Sequence, residues 1–86
     1  MNPTNILKGC FYWIRVGWGI QKGDNSLTLT APNGQVLACE EQERYLVCTI
    51  QKKDHPPNEW PETHLATTEE SAIDWFRDKM DAINAE

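Results

Sequence analysis

Nothing in this chain approaches the roughly 20 consecutive apolar residues that a membrane-spanning helix needs, because its longest apolar stretches are broken by Arg15 or by glycine. The start, MNPTNILKG, has neither the basic residues nor the apolar run of an export signal. Cysteine is scarce: Cys10, Cys39 and Cys48 are odd in number and lack CxxC spacing, so neither a disulfide framework nor a zinc site is expected. Together these absences predict a cytoplasmic protein with reduced, packed thiols. Basic residues are few as well. Eight Lys and Arg stand against 13 Asp and Glu, a net charge of −5, and a protein that drew its affinity from phosphates would need more cations.

The signatures of catalysis are also missing. Gly17 and Gly19 in RVGWGIQKG have the G-x-G spacing of a nucleotide loop, but such a loop opens a helix, and the NSLTLT that follows reads as a strand. The two glycines read instead as a bulge or a close approach of backbones. Ser26 falls in a turn and Ser71 at a helix start, without a nucleophile elbow. No histidine neighbours the three cysteines in sequence. His55 and His64 lie nine residues apart across a proline-rich loop and match no ligand pattern, so both read as surface residues. The expectation is no enzyme, no catalytic residue, no metal and no cofactor.

At 86 residues the chain is expected to form one domain spanning 1–86, with a small core drawn from a few large side chains. Four Trp, two Tyr and two Phe can supply much of it. Asn2 followed by Pro3 suits a short N-terminal helical turn. From Cys10 the residues Cys10, Tyr12, Ile14, Val16, Trp18 and Ile20 alternate with Phe11, Trp13, Arg15, Gly17 and Gly19, a period of two. A helix competes here, since Ile6, Leu7, Cys10, Phe11 and Ile14 also fall at helical spacing. The β-branched and aromatic content favours the strand.

LTLTA, QVLAC and YLVCTIQ read as three further strands, joined at PNG (32–34) and EEQER (40–44). KKDHPPNEWPETHLA (52–66) carries three prolines and reads as an irregular crossing loop. TTEESAIDWFRDKMDAINAE is the clearest helix, with Thr67 and Glu70 as a capping box and an apolar stripe of Ala72, Ile73, Phe76, Met80 and Ile83. The fold class is therefore α+β: a four-stranded antiparallel meander covered on one face by a C-terminal helix (ββββα). Phe11, Trp13 and Arg15 would lie on the open face.

Charge is unevenly spread. Residues 1–39 carry +2 and residues 40–86 carry −7. On the C-terminal helix Glu70, Asp74, Asp78 and Asp81 share one face opposite the apolar stripe, with Arg77 spaced to neutralise part of the row. Glu40, Glu41, Glu43, Asp54, Glu59 and Glu62 extend the acidic character, and Trp60 and Trp75 fall among these residues. Tryptophan ringed by carboxylates has the composition of a hot spot for a basic protein. The candidate partner surface is thus Glu70, Asp74, Asp78, Asp81, Trp75 and Trp60.

The expected function is a small acidic binding module that inhibits or regulates a basic, nucleic-acid-handling protein by occupying its nucleic-acid groove. Neither direct nucleic-acid binding nor membrane attachment is expected. Small anti-defence proteins of phages and mobile elements work in this general way, an analogy resting on size, acidity and the lack of catalytic residues. Two alternatives stand beside it. One is a single-strand nucleic-acid binder stacking bases on Phe11 and Trp13 beside Arg15. The other is a structural subunit or homodimer built on the open sheet face.

Overall fold

In the computed structural model, which describes residues 2–52, 54 and 56–86, the first element is a seven-residue helix, α1 (Pro3–Gly9). The Asn2 side chain caps it by accepting from the Thr4 N–H at 2.9 Å. Pro3 follows in the first turn, where a missing N–H costs nothing. Ile6, Leu7 and Cys10 are buried, and the Cys10 N–H closes the helix on the carbonyls of Ile6 and Leu7.

The alternation from Cys10 to Ile20 does not make a strand. Phe11–Trp13 is a 3₁₀ turn, the next residues are irregular, and β1 is confined to Gly19–Lys22. Helical spacing prevails up to Cys10, and the tryptophans beyond it serve as tertiary anchors. Trp13 Nε1 donates to Asp81, Trp18 Nε1 donates to Asn84 Oδ1 at 3.0 Å, and Asn84 Nδ2 donates to the Trp13 carbonyl at 2.9 Å. Gly17 has φ of 97°, a left-handed backbone that suits glycine, and it interrupts extended structure just before β1 begins. The even-numbered side chains are not uniformly buried: Tyr12 is 89% exposed and Val16 fully so.

The sheet has five strands rather than four, in sequential antiparallel order: β1, β2 (Ser26–Thr30), β3 (Val36–Glu41), β4 (Leu46–Gln51) and β5 (Glu62–Ala66). The PNG turn joins β2 to β3 with Gly34 at φ 91°. Glu40 and Glu41 belong to the end of β3 rather than to the turn after it. The fifth strand lies inside the stretch that prolines make look irregular. Pro56, Pro57 and Pro61 all precede it, so its ladder donors are intact. In the register Leu46 faces Ala66 and Cys48 faces His64, which puts His64 in a strand and not in a surface loop.

Leu27 and Leu29, Leu37 and Cys39, and Leu46 and Cys48 point to one face and are fully buried. The opposite face carries Thr28, Ala38, Thr49 and Thr63 in one row across four strands. Phe11, Trp13 and Arg15 are not on that open face, because they precede β1, and Trp13 is bonded to the C-terminal helix instead.

That helix, α2 (Glu69–Asn84), is capped by Thr68 and not by Thr67: the Thr68 hydroxyl accepts from the Ser71 N–H at 3.1 Å. Ala72, Phe76, Met80 and Ile83 are buried, with Ile73 packed at their margin. Glu69 ties the two helices together. Its Oε2 accepts from the Asn2 N–H at 2.8 Å and from Asn5 Nδ2 at 2.9 Å, and these bonds draw its carboxyl below the ordinary 4.5. Among the described residues no helix is long and apolar enough to cross a membrane.

Close approach of α1 and α2 depends on Gly9. A Cβ there would stand 2.5 Å from Ile73 Cδ1, with Cγ1 and Cγ2 at 2.8 and 2.9 Å. Gly9→Ala is therefore expected to cost about 1–2 kcal/mol despite the better helix propensity of alanine. Urea denaturation measures it, and Ile73→Val in the same chain should recover part of the loss.

Candidate protein-binding surface

At about 100° per residue Glu70, Asp74, Asp78 and Asp81 fall within roughly 80° of one another, centred away from the buried stripe. All four are exposed in the structure. The row spans about 16 Å of helix at 1.5 Å per residue. Among the described residues no ion pair or hydrogen bond reaches the carboxylates of Glu70, Asp74 or Asp78, whereas Asp81 accepts from the Trp13 indole.

The two cations on α2 are turned away from this row, one to each side. Arg77 Nε donates to the Gly9 carbonyl at 2.9 Å, and its guanidinium sits 4.7 Å from the centre of the Trp13 ring. The spacing of Arg77 to Asp74 and Asp81 suggested partial neutralisation, but the carbonyl left open at the end of α1 and the face of Trp13 hold the side chain instead. Lys79 Nζ pairs with Glu62 Oε2 of β5 at 2.8 Å and lies 5.6 Å from the centre of the Trp75 ring. The acidic row is thereby left as a stripe of one sign.

Trp75 is half-buried on the β5 side of the row. Its ring stacks on His64 at 6.0 Å with an angle of 7°, and His64 Nε2 lies 3.1 Å from the Ser71 hydroxyl. A shallow cleft opens here, lined by His64, Thr68, Glu70, Ser71, Asp74 and Trp75. It combines an aromatic wall with two uncompensated carboxylates, which fits the aliphatic stem and cationic head of a Lys or Arg side chain. His64 was missed by sequence reasoning. The signal available was its alternation with Ala66 after the last proline.

Trp60 is 93% exposed and lines neither this cleft nor the larger groove beside the C-terminal end of α2. The structure thus brings Trp75 together with the acidic row and does not gather Trp60 into it. The larger groove, of about 910 Å³, has an apolar floor of Ile50, Ala82 and Ile83 and carries charges of both signs, including Lys52, Lys79, Glu62 and Glu86.

The second candidate surface is rearranged. Trp13 is half-buried against α2, whereas Phe11 is 63% exposed and Tyr12 more so, the two rings meeting edge to face at 6.2 Å. Arg15 is exposed beyond them, and Lys8 and Lys22 are exposed as well. Among the described residues no group of three or more His, Cys, Asp or Glu is placed to hold a metal ion, and His55 lies outside the described residues. Cys10, expected on a strand, instead follows α1 as its C-cap. No protein-family model matches this chain, and no curated protein or solved structure does either.

Proposed function

We propose that this protein is a non-enzymatic binding module that docks a basic protein on the outer face of α2, with one Lys or Arg side chain of the partner seated in the cleft beside Trp75. The observation that carries this reading is the diversion of both helix cations: with Arg77 held by Gly9 and Trp13, and Lys79 by Glu62, the four acids form a stripe with no neutralising side chain among the described residues. Asp74 and Asp78 in particular have no partner among those residues that rewards their pairing, because like charges at i,i+4 cost a helix a few tenths of a kcal/mol per pair. The complementary surface is a row of cations, which nucleic-acid-handling proteins present in their grooves. Occupying that groove would inhibit the partner by competition.

The test is capture of partners on the immobilised protein at about 0.15 M salt, where screening reaches about 8 Å. Release of a basic nucleic-acid-handling protein by added duplex oligonucleotide, as well as by 1 M salt (a Debye length of about 3 Å), is the expected result. Retention insensitive to both would sink the reading.

The exposure of Phe11 and Tyr12, in a stretch of chain whose Lys8, Arg15 and Lys22 are exposed as well, favours a second reading, in which these aromatics stack the bases of a single strand. Its signature is direct binding of a labelled oligonucleotide that Tyr12→Ala abolishes. Tyr12 is the position to vary rather than Trp13, whose removal would also release an anchor of α2.

A further inference from the structure

Cys39 and Cys48 are register partners in the β3–β4 ladder, and both are fully buried in the core. The phase of the ladder decides how they meet. Just beyond the strands the Gln42 N–H donates to the Tyr45 carbonyl at 2.8 Å, so 42 and 45 form a hydrogen-bonded pair. Bonded and non-bonded pairs alternate along an antiparallel ladder. Glu40–Val47 is then bonded, and Glu41–Leu46 and Cys39–Cys48 are not. The β2 side agrees: Glu41 N–H donates to the Asn25 carbonyl, and Ala31 N–H to the Gln35 carbonyl, each at 2.8 Å. Cys39 therefore directs its backbone bonds to Leu27 and only its side chain toward Cys48.

At a non-hydrogen-bonded pair the Cα atoms are about 4.5 Å apart and the side chains are at their closest. A disulfide accepts Cα separations of about 4.4–6.8 Å. Both side chains point to the buried face of the sheet, and the facing Cys48 thiol holds the Cys39 proton above the ordinary thiol range while Cys39 draws Cys48 below it.

We propose that Cys39 and Cys48 form a cross-strand disulfide by exchange with a small-molecule disulfide of the glutathione type. The Cys48 thiolate attacks one sulfur of oxidised glutathione, breaking its S–S bond and releasing one glutathione thiolate. Cys39, losing its proton to solvent, then attacks the Cys48 sulfur of the mixed disulfide and releases the second. Two protein thiols and one glutathione disulfide become one protein disulfide and two glutathione thiols. Both sulfurs are buried, so exchange waits on opening of the β3–β4 hairpin from α2 and follows the frequency of that opening. Cys10 is excluded: it belongs to the end of α1, its thiol donates to the Leu7 carbonyl at 3.8 Å, and burial pushes that thiol up to about 11. The bridge is independent of the binding surface on α2.

The test incubates the folded protein with oxidised glutathione, in buffer and in urea below the unfolding transition, then alkylates it in denaturant and maps the peptides by mass. Loss of two of the three thiols is expected, with the alkyl group on Cys10, no retained glutathione, and faster loss as urea rises. Cys39→Ala should stop at glutathione bound to Cys48. Survival of all three thiols in sub-denaturing urea, a bridge that includes Cys10, or bridges only between chains would overturn the proposal.

Discussion

Phe76→Ala is expected to remove about 3–5 kcal/mol of stability, a large share of what a domain of this size possesses. Phe76 is the largest of the fully buried side chains, and its ring centre lies 5.5 Å from that of Trp75. It sits in the middle of the stripe by which α2 covers the sheet, between Ala72 and Met80. Truncation leaves a cavity that the surrounding leucines cannot fill, because they are fixed in strands. Urea denaturation followed by circular dichroism should show a much lower midpoint with an unchanged slope. Phe76→Leu should lose less. A loss below about 1 kcal/mol for the alanine variant would contradict the packing of α2 on the sheet.

Asp78→Lys is expected to weaken partner binding about tenfold while leaving the fold slightly more stable. The two effects have opposite signs for one physical reason. Position 78 lies four residues from Asp74 and three from Asp81, so a lysine there turns two repulsive pairs into attractive ones, at a few tenths of a kcal/mol each. In the complex the same lysine meets the partner's cations, and about 1.4 kcal/mol of repulsion is a factor of ten. Adding Asp74→Lys should bring the loss to about a hundredfold. Titration calorimetry with the captured partner measures the first effect and thermal unfolding the second. Unchanged affinity in the double variant would show that the acidic row is only a solvated face.

The elements legible in the sequence were those whose pattern is set locally. β2, β3 and β4 alternate cleanly between short turns, and α2 has a cap, an acidic first turn and a single stripe. β1 and the segment before it were misread because the aromatic residues there, which suit a strand by type, have tertiary roles instead: the indole N–H groups of Trp13 and Trp18 reach Asp81 and Asn84, 68 and 66 residues away. β5 was hidden by prolines that all precede it. The acidic row followed directly from helical spacing, since only the helix was needed to place it. What sequence could not supply was the direction of Arg77 and Lys79, or the stacking of Trp75 on His64, because each depends on a neighbour from another element.

The long reach of these anchors shapes how the chain must be made. Asn2 is tied to Glu69, Gly9 to Arg77, Trp13 to Asp81 and Trp18 to Asn84, so the first 18 residues lack these anchors until α2 has left the ribosome, although α1 can already meet β2 and β3. At about 5–20 residues per second, several seconds separate the emergence of β2 and β3 from that of the helix that covers them. During that interval Leu27, Leu29 and Leu37 face water on a nascent meander, and a chaperone has its one clear opportunity to hold the chain before α2 closes over them.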